Sequence, residues 1–294
     1  MDIAPIDDHH PTAAADVPLH RINKQLPLRV LSEADWTHWT TKGYVIVPQV
    51  VPRDYVERLV ALLYEFDEKD PGDPSTWYAP QRRDHKMLEL NNTGMVEIYN
   101  HQYLWDNRME PRIYDTFVDI WDREDLWVTI DRANVNPPRK EMGSPDGFIH
   151  WDVDTSLDPL PVGVQGVLSL LPQDRDTGGF QCVPYLFEHF DDWVESQPAD
   201  RNPKHPDLTG LEVVNVEYRD VHDFLLLEAV LGEFRKLLGE IASVPCAGQV
   251  VLHRQQFHVA VCIFEVEACA QVMFADGGVS GGYNNCNDGS ADNE

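Results

Sequence analysis

The chain has 294 residues, 43% of them apolar and 10% aromatic, enough to bury a core in one large domain or two modest ones. A formal charge of −27, spread along the chain, excludes the clustered cationic face that phosphate backbones require. No run of about eighteen apolar residues occurs, so a membrane-spanning helix is excluded as well.

Met1 to Leu28 is acidic at its start and rich in His, Pro and Ala. It lacks the basic and apolar regions of a secretory signal, and reads as a disordered lead-in (1–28) to a cytoplasmic protein. Ser32 with Asp35 three residues on forms a capping box that opens a helix. Gly43 to Val47 is a short strand. Pro52 starts an amphipathic helix with Tyr55, Val56, Leu59, Leu62 and Leu63 on its apolar stripe. Arg112 to Trp121 reads as a further helix, and Leu126 to Val135 as a strand stopped by Pro137-Pro138. Strands follow around Phe148–Asp152 and Val162–Leu170. Asp174 to Gly179 is a turn, Phe180–Pro184 a short strand, and Phe187–Trp193 a helix. A Pro/Asp-rich loop, Gln197 to Thr209, precedes a strand over Glu212–Tyr218. Helices first and short strands afterwards imply an α+β protein with a β-sandwich or jelly-roll centre and flanking N-terminal helices. No repeats are visible.

His150-Trp151-Asp152 carries the chemistry. In an extended segment residues i and i+2 share a face, so an imidazole and a carboxylate could hold one metal ion between them. They supply two-thirds of the 2-His-1-carboxylate set of non-haem Fe(II) oxygenases. The spacing alone also arises by chance. A second copy, His189-Phe190-Asp191, falls in a helical stretch where i and i+2 diverge, and reads as surface or packing. Trp151 points away from a metal held by its neighbours, which suits core packing. Asp154 reads as a supporting or solvated carboxylate. Arg132, Asn134 and Asn136 alternate on one face of their strand, and Gln165 and Val167 on theirs. They are either cosubstrate-binding groups or ordinary rim residues.

Five cysteines (Cys182, Cys246, Cys262, Cys269, Cys286) without a CxxC fit neither a disulfide framework nor a zinc site.

Three ordered stretches closely resemble the phytanoyl-CoA dioxygenase-like family. They are Gly147-Phe-Ile-His-Trp-Asp-Val-Asp-Thr155, Val164-Gln-Gly-Val-Leu-Ser-Leu170 and Thr177-Gly-Gly-Phe-Gln-Cys-Val-Pro184. Tyr103–Arg108 and Asp131–Pro138 are similar to the same family. The resemblance runs from about Gly43 to Leu226 and defines a domain over 29–226. It implies a double-stranded β-helix, His150 and Asp152 as iron ligands, and Fe(II), 2-oxoglutarate and O2 as cofactor and cosubstrates. The reaction implied is oxidative decarboxylation of 2-oxoglutarate coupled to attack on a C–H bond of a small organic molecule. No nucleic acid or membrane partner is implied, and oligomeric state is not legible. The substrate pocket is expected from the loops around Trp77–Arg83, Met87–Asn100 and Gly143–Gly147.

The resemblance breaks after Leu226. The family pattern asks for a His about where Glu233 stands, then an Arg for the distal carboxylate of 2-oxoglutarate. Neither is present. All eight Trp lie at or before Trp193, four of five Cys lie after Val244, and the end is a Gly/Asn/Asp tail. The segment 227–294 is therefore expected to be irregular or non-native, the product of a reading-frame slip or intron read-through. Shifted by one base, permitted codons for Leu227–Leu231 spell Trp-Lys-Gln-Ser-Leu. Those for Ala242–Ala247 spell Pro-Arg-Phe-Arg-Ala-Gln, a string resembling the missing Arg segment. Within the written chain, His258 is the substitute third metal ligand, ahead of His253 and Glu233. The competing classes are an inactive relative with a broken triad, and a cupin-like metal protein independent of 2-oxoglutarate.

Overall fold

A computed structural model describes residues 22–79, 95–96, 98–128, 130, 133–136, 149–151, 154–157, 162–173, 180–218, 223–231 and 258–266. Helix α1 (Glu33–Lys42) begins at the Ser32/Asp35 capping box and buries Trp39. It ends on Gly43 in the left-handed region, φ 76°, whose N–H donates to the Trp39 carbonyl. A Cβ at Gly43 would come within 2.5 Å of the Phe187 ring, so only glycine serves here. Gly43→Ala is expected to cost about 2–3 kcal/mol, from backbone strain and that collision together. A urea midpoint unchanged from the parent protein would contradict this.

Strand β1 (Tyr44–Pro48) follows, then helix α2 (Arg53–Phe66), which buries Val56, Leu59 and Leu63. Strand β2 is Met95–Val96. Helix α3 (Gln102–Arg108) was not expected from sequence; its N-cap is His101, whose Nδ1 accepts from the Tyr103 N–H at 3.1 Å. Helix α4 (Pro111–Trp121) starts one residue before the expected Arg112, on a proline, and buries seven of its eleven residues.

Two aspartates at the end of α4 fasten the chain ahead of α1. Buried Asp119 accepts the N–H groups of Arg29, Val30 and Leu31, each at 2.8 Å. Asp122 accepts those of Gln25 and Leu26 and the Lys24 ammonium. The lead-in expected to be disordered to residue 28 is thus tied down over 24–28, because these carboxylates satisfy its backbone donors.

The strand expected over Leu126–Val135 is two: β3 (Trp127–Val128) and β4 (Ala133–Asn136). Strand β5 (Val162–Ser169) matches its expectation to within a residue. Strand β6 (Gln181–Cys182) is shorter than expected, because Pro184 opens helix α5 (Pro184–Glu188). The single helix expected there is broken at His189, after which α6 (Phe190–Ser196) begins. Only Val214–Asn215 of the expected strand 212–218 is a strand, β7. Strands β8 (Phe224–Leu231) and β9 (His258–Val266) complete the order. The turn expected over 174–179 lies outside the described residues.

All pairings are antiparallel. A seven-stranded sheet runs β1-β8-β5-β9-β4-β2, with β3 also on β9, and β6-β7 form a separate ribbon. One face of the large sheet carries Val45, Val47, Leu225, Leu227, Val164, Leu168, Ala133 and Val135 into the main core beneath the helices. The opposite face carries Tyr44, Ile46, Phe224 and Leu226 against Phe180 and Val216, which flank the two ribbon strands. Gln173 stitches the two layers: it accepts from Ser169 Oγ, donates to the Val216 carbonyl, and bridges Tyr218 through backbone bonds. This is the expected α+β arrangement with helices on one side. The second layer, among the described residues, is the β6-β7 ribbon.

The expectation of irregular chain after Leu226 is not met locally. Strand β8 passes through Leu226 and stays in register with β1 and β5 to Glu228 and Leu231 respectively. Its apolar run suits a strand with neighbours on both sides, and β9 supplies a further strand at 258–266.

Candidate functional site

The antiparallel register assigns faces directly, because residues opposite one another project to the same side. Gln165 is opposite Glu228 and Phe264, while Asn134 and Ser169 flank Ala260 from the two sides of β9. Asn134, Gln165 and Ser169 therefore share the face turned from the helices, and all three are buried. Two strand spacings put Asn134 and Ser169 roughly 10 Å apart. Asn136 and His258 are opposite one another at register positions on the same face. Arg132 lies outside the described residues. Polar groups in a row on an interior sheet face are costly unless hydrogen-bonded, and such a row can bind the oxygens of an acid.

His150 is placed differently from expectation. Ile149–Trp151 make no strand pairing. The reason is where the backbone bonds go: the Trp151 N–H donates to the Lys204 carbonyl at 2.9 Å, in a loop fifty-three residues on, instead of to a ladder. Phe148 and Asp152 lie outside the described residues. The two flanks of the dyad are nevertheless firmly held. Ile149 and Trp151 pack on the cluster of Val183, Leu186 and Trp193, with the Trp151 and Trp193 rings 5.2 Å apart. Trp151 thus fills the core role its position suggested.

On the other flank Thr155 is buried and fully engaged. Its N–H and hydroxyl both donate to the Pro203 carbonyl, at 3.2 and 2.5 Å. Arg201 donates to the Thr155 hydroxyl oxygen and carbonyl, each at 2.7 Å. Asp154 accepts from the Ser156 N–H and hydroxyl. Those bonds, with lesser help from Lys204 and Arg201, hold its carboxyl below the usual carboxylate range. Asp154 closes a turn with Ser156 after the dyad.

The His150 ring lies 6.0 Å from the His205 ring, centroid to centroid, tilted by 41°. His205, which no sequence motif singled out, is exposed while His150 is half-buried. The second HxD copy is split between the α5–α6 break and the first turn of α6. Its Asp191 is exposed and His189 stacks on Tyr185, the surface role expected of it.

Imidazole nitrogen and carboxylate oxygen are the donor types that suit a divalent iron-class ion. The residues at 150 and 152 fit such an ion in kind. Among the described residues, which exclude Asp152, no three His, Cys, Asp or Glu side chains form a metal-binding group. No helix among them is long and apolar enough to cross a membrane.

No family model matches the chain. Ava biosynthesis cluster protein O of Aspergillus versicolor is 24% identical over 182 residues, covering 59% of this chain and 57% of that protein. The chain therefore matches little more than half the length of that relative. Among solved structures, EctD from S. alaskensis, crystallised with 2-oxoglutarate and 5-hydroxyectoine, superposes with a TM-score of 0.50. It is 12% identical and the match covers 87% of this chain and 84% of that one. HygX from Streptomyces hygroscopicus, with nickel and 2-oxoglutarate bound, gives a TM-score of 0.47 at 14% identity. At such identities the likeness is one of fold: this chain shares its helix-backed antiparallel architecture with EctD.

Proposed function

We propose that the chain is an Fe(II)/2-oxoglutarate-dependent oxygenase of the phytanoyl-CoA dioxygenase-like family that oxidises a small organic molecule. The observation that carries this is the ordered set of motifs around His150 and Asp152, read together with a fold shared with EctD. A distant relative that belongs to a biosynthesis cluster supports a secondary metabolite as substrate.

In this reading His150 and Asp152 hold the iron. Iron, 2-oxoglutarate and O2 together supply a two-electron oxidant, with succinate and CO2 released and one oxygen atom left for the substrate. The chain's own work is positional. Trp151, held by the Trp193 ring and the Lys204 carbonyl, and Thr155, held by Arg201, anchor the chain at positions 151 and 155. Gln165 and Asn134 offer amides from the interior face to the cosubstrate carboxylates, with Arg132 and Asn136 as further donors. Hydroxylation is the simplest outcome for the substrate.

The test is turnover. Protein loaded anaerobically with Fe(II), then given 2-oxoglutarate and air, is expected to form succinate. Iron retained without succinate would favour the cupin-like alternative.

Residues 227–294 are read, as a proposal, as carrying a one-base frame slip or retained intron near Leu226, which would account for the missing Arg, although the shifted reading restores no His. Sequencing cDNA across codons 226–250 is expected to show the offset. An uninterrupted match to the written residues would retire the idea. A frame-corrected chain that turns over where the written one fails would place the fault in this segment.

A further inference from the structure

We infer that the loop segment 201–205 is a strap that completes the metal centre, with His205 supplying an imidazole ligand beside His150. This rests on His150 and Asp152 being metal ligands, as proposed for the site.

The strap is built, not incidental. Five hydrogen bonds join it to the segment 151–155: Trp151 N–H to Lys204, two from Thr155 to Pro203, and two from Arg201 to Thr155. They bracket position 152 from both sides. The Arg201 guanidinium also lies 5.7 Å from the Trp193 ring centre, and that ring packs on Trp151. The strap is therefore tied to the chain at Trp151 and Thr155, and His205 stands 6.0 Å from His150, ring centre to ring centre.

Two imidazoles on one ion, each with a bond of about 2.1 Å, set their centroids roughly 4.5 to 6.5 Å apart, depending on the angle at the metal. The observed spacing falls inside that span, towards the wide-angle end. An approach of about 1 Å by an exposed side chain gives the tighter angle of a facial set. Lys204 and Arg201 offer no competing donors, since both are cations. A His from the strap would supply the second imidazole that the chain does not offer at the expected place after Leu226. Arg201 is then a positioning residue, acting on the metal only through Thr155 and the backbone.

The experiment is anaerobic Co(II) titration of the full chain, followed by absorption. His205→Ala is expected to weaken Co(II) binding by at least about tenfold, since losing even an outer partner of a ligand costs about 10–100-fold. His205→Cys is expected to give a new near-ultraviolet thiolate-to-cobalt band, which arises only if position 205 touches the metal. His205 is exposed, so neither change threatens folding. Unchanged affinity in His205→Ala and no new band in His205→Cys would overturn the inference, while His150→Ala, losing all binding, would leave the dyad reading intact. Full affinity retained in His150→Ala would overturn both.

Discussion

Replacing His150 with Ala is expected to abolish iron binding and, with it, succinate formation, a loss of at least about a thousandfold in turnover. The magnitude follows from the ligand count. The sequence offers one imidazole and one carboxylate at close spacing, so removing the imidazole leaves Asp152 with at most one further side-chain partner. The change should not unfold the protein. His150 is half-buried, and the bonds holding its segment come from the Trp151 backbone, the Trp151 ring and Thr155. The circular dichroism and melting temperature of His150→Ala are therefore expected to match the parent within about 2 °C. A variant that loses iron and folding together would not distinguish ligand from scaffold. His150→Gln, similar in bulk but a poor ligand, makes that separation, and full turnover in it would count against the ligand role.

The largest effect on stability is expected far from the dyad, at Asp119. Its carboxylate is fully buried and accepts three consecutive backbone N–H groups, from Arg29, Val30 and Leu31. Hydrogen bonds to a charged acceptor contribute about 1.5–3 kcal/mol each, and orphaned buried donors add their own cost. Asp119→Ala strands all three N–H groups at once, and a loss of about 4 kcal/mol is expected. That corresponds to a fall in Tm on the order of 10 °C for a chain of this size. Asp119→Asn keeps one acceptor oxygen and should lose about half as much. Limited proteolysis should then cut first within residues 22–31, the stretch these bonds secure. A loss below about 1 kcal/mol in Asp119→Ala would show that the stretch is held by other contacts.

Local sequence signals were legible where the physics is local. The Ser32/Asp35 capping box and the apolar stripe of α2 each depend on residues within a turn or two, and each appears where expected. Helix α3 escaped because its start is capped by a histidine ring, outside the usual Ser, Thr, Asp and Asn. Over Ile149–Trp151, the described part of the strand expected at 148–152, the pairing is lost for a long-range reason. Alternating His and Asp look extended in either case, and only the distant Lys204 carbonyl decides that the Trp151 N–H leaves the ladder. No window of sequence contains both partners.

The same limit hid the strap. Arg201, Lys204 and His205 stand in a Pro/Asp-rich loop, and the one available signal was a cluster of basic residues within an otherwise acidic stretch. Asp119 and Asp122 were hidden in turn by a helix whose apolar stripe gave no reason to ask what its aspartates hold. Strand β8 is a different case. A run such as Phe224–Leu231 forms a central strand from its apolar content alone. Its continuity through Leu226 therefore follows from composition and does not bear on which reading frame encodes it. The face assignment of Gln165 and Asn134, by contrast, became definite only through register with β9, although their alternation within each strand was readable.

The most direct measurement is an anaerobic Fe(II) titration of the whole chain by calorimetry, with His150→Ala and Asp152→Ala alongside. If His150 and Asp152 together hold the iron, the parent protein binds one ion per chain and neither variant binds any. One ion bound with equal affinity in all three would contradict that assignment.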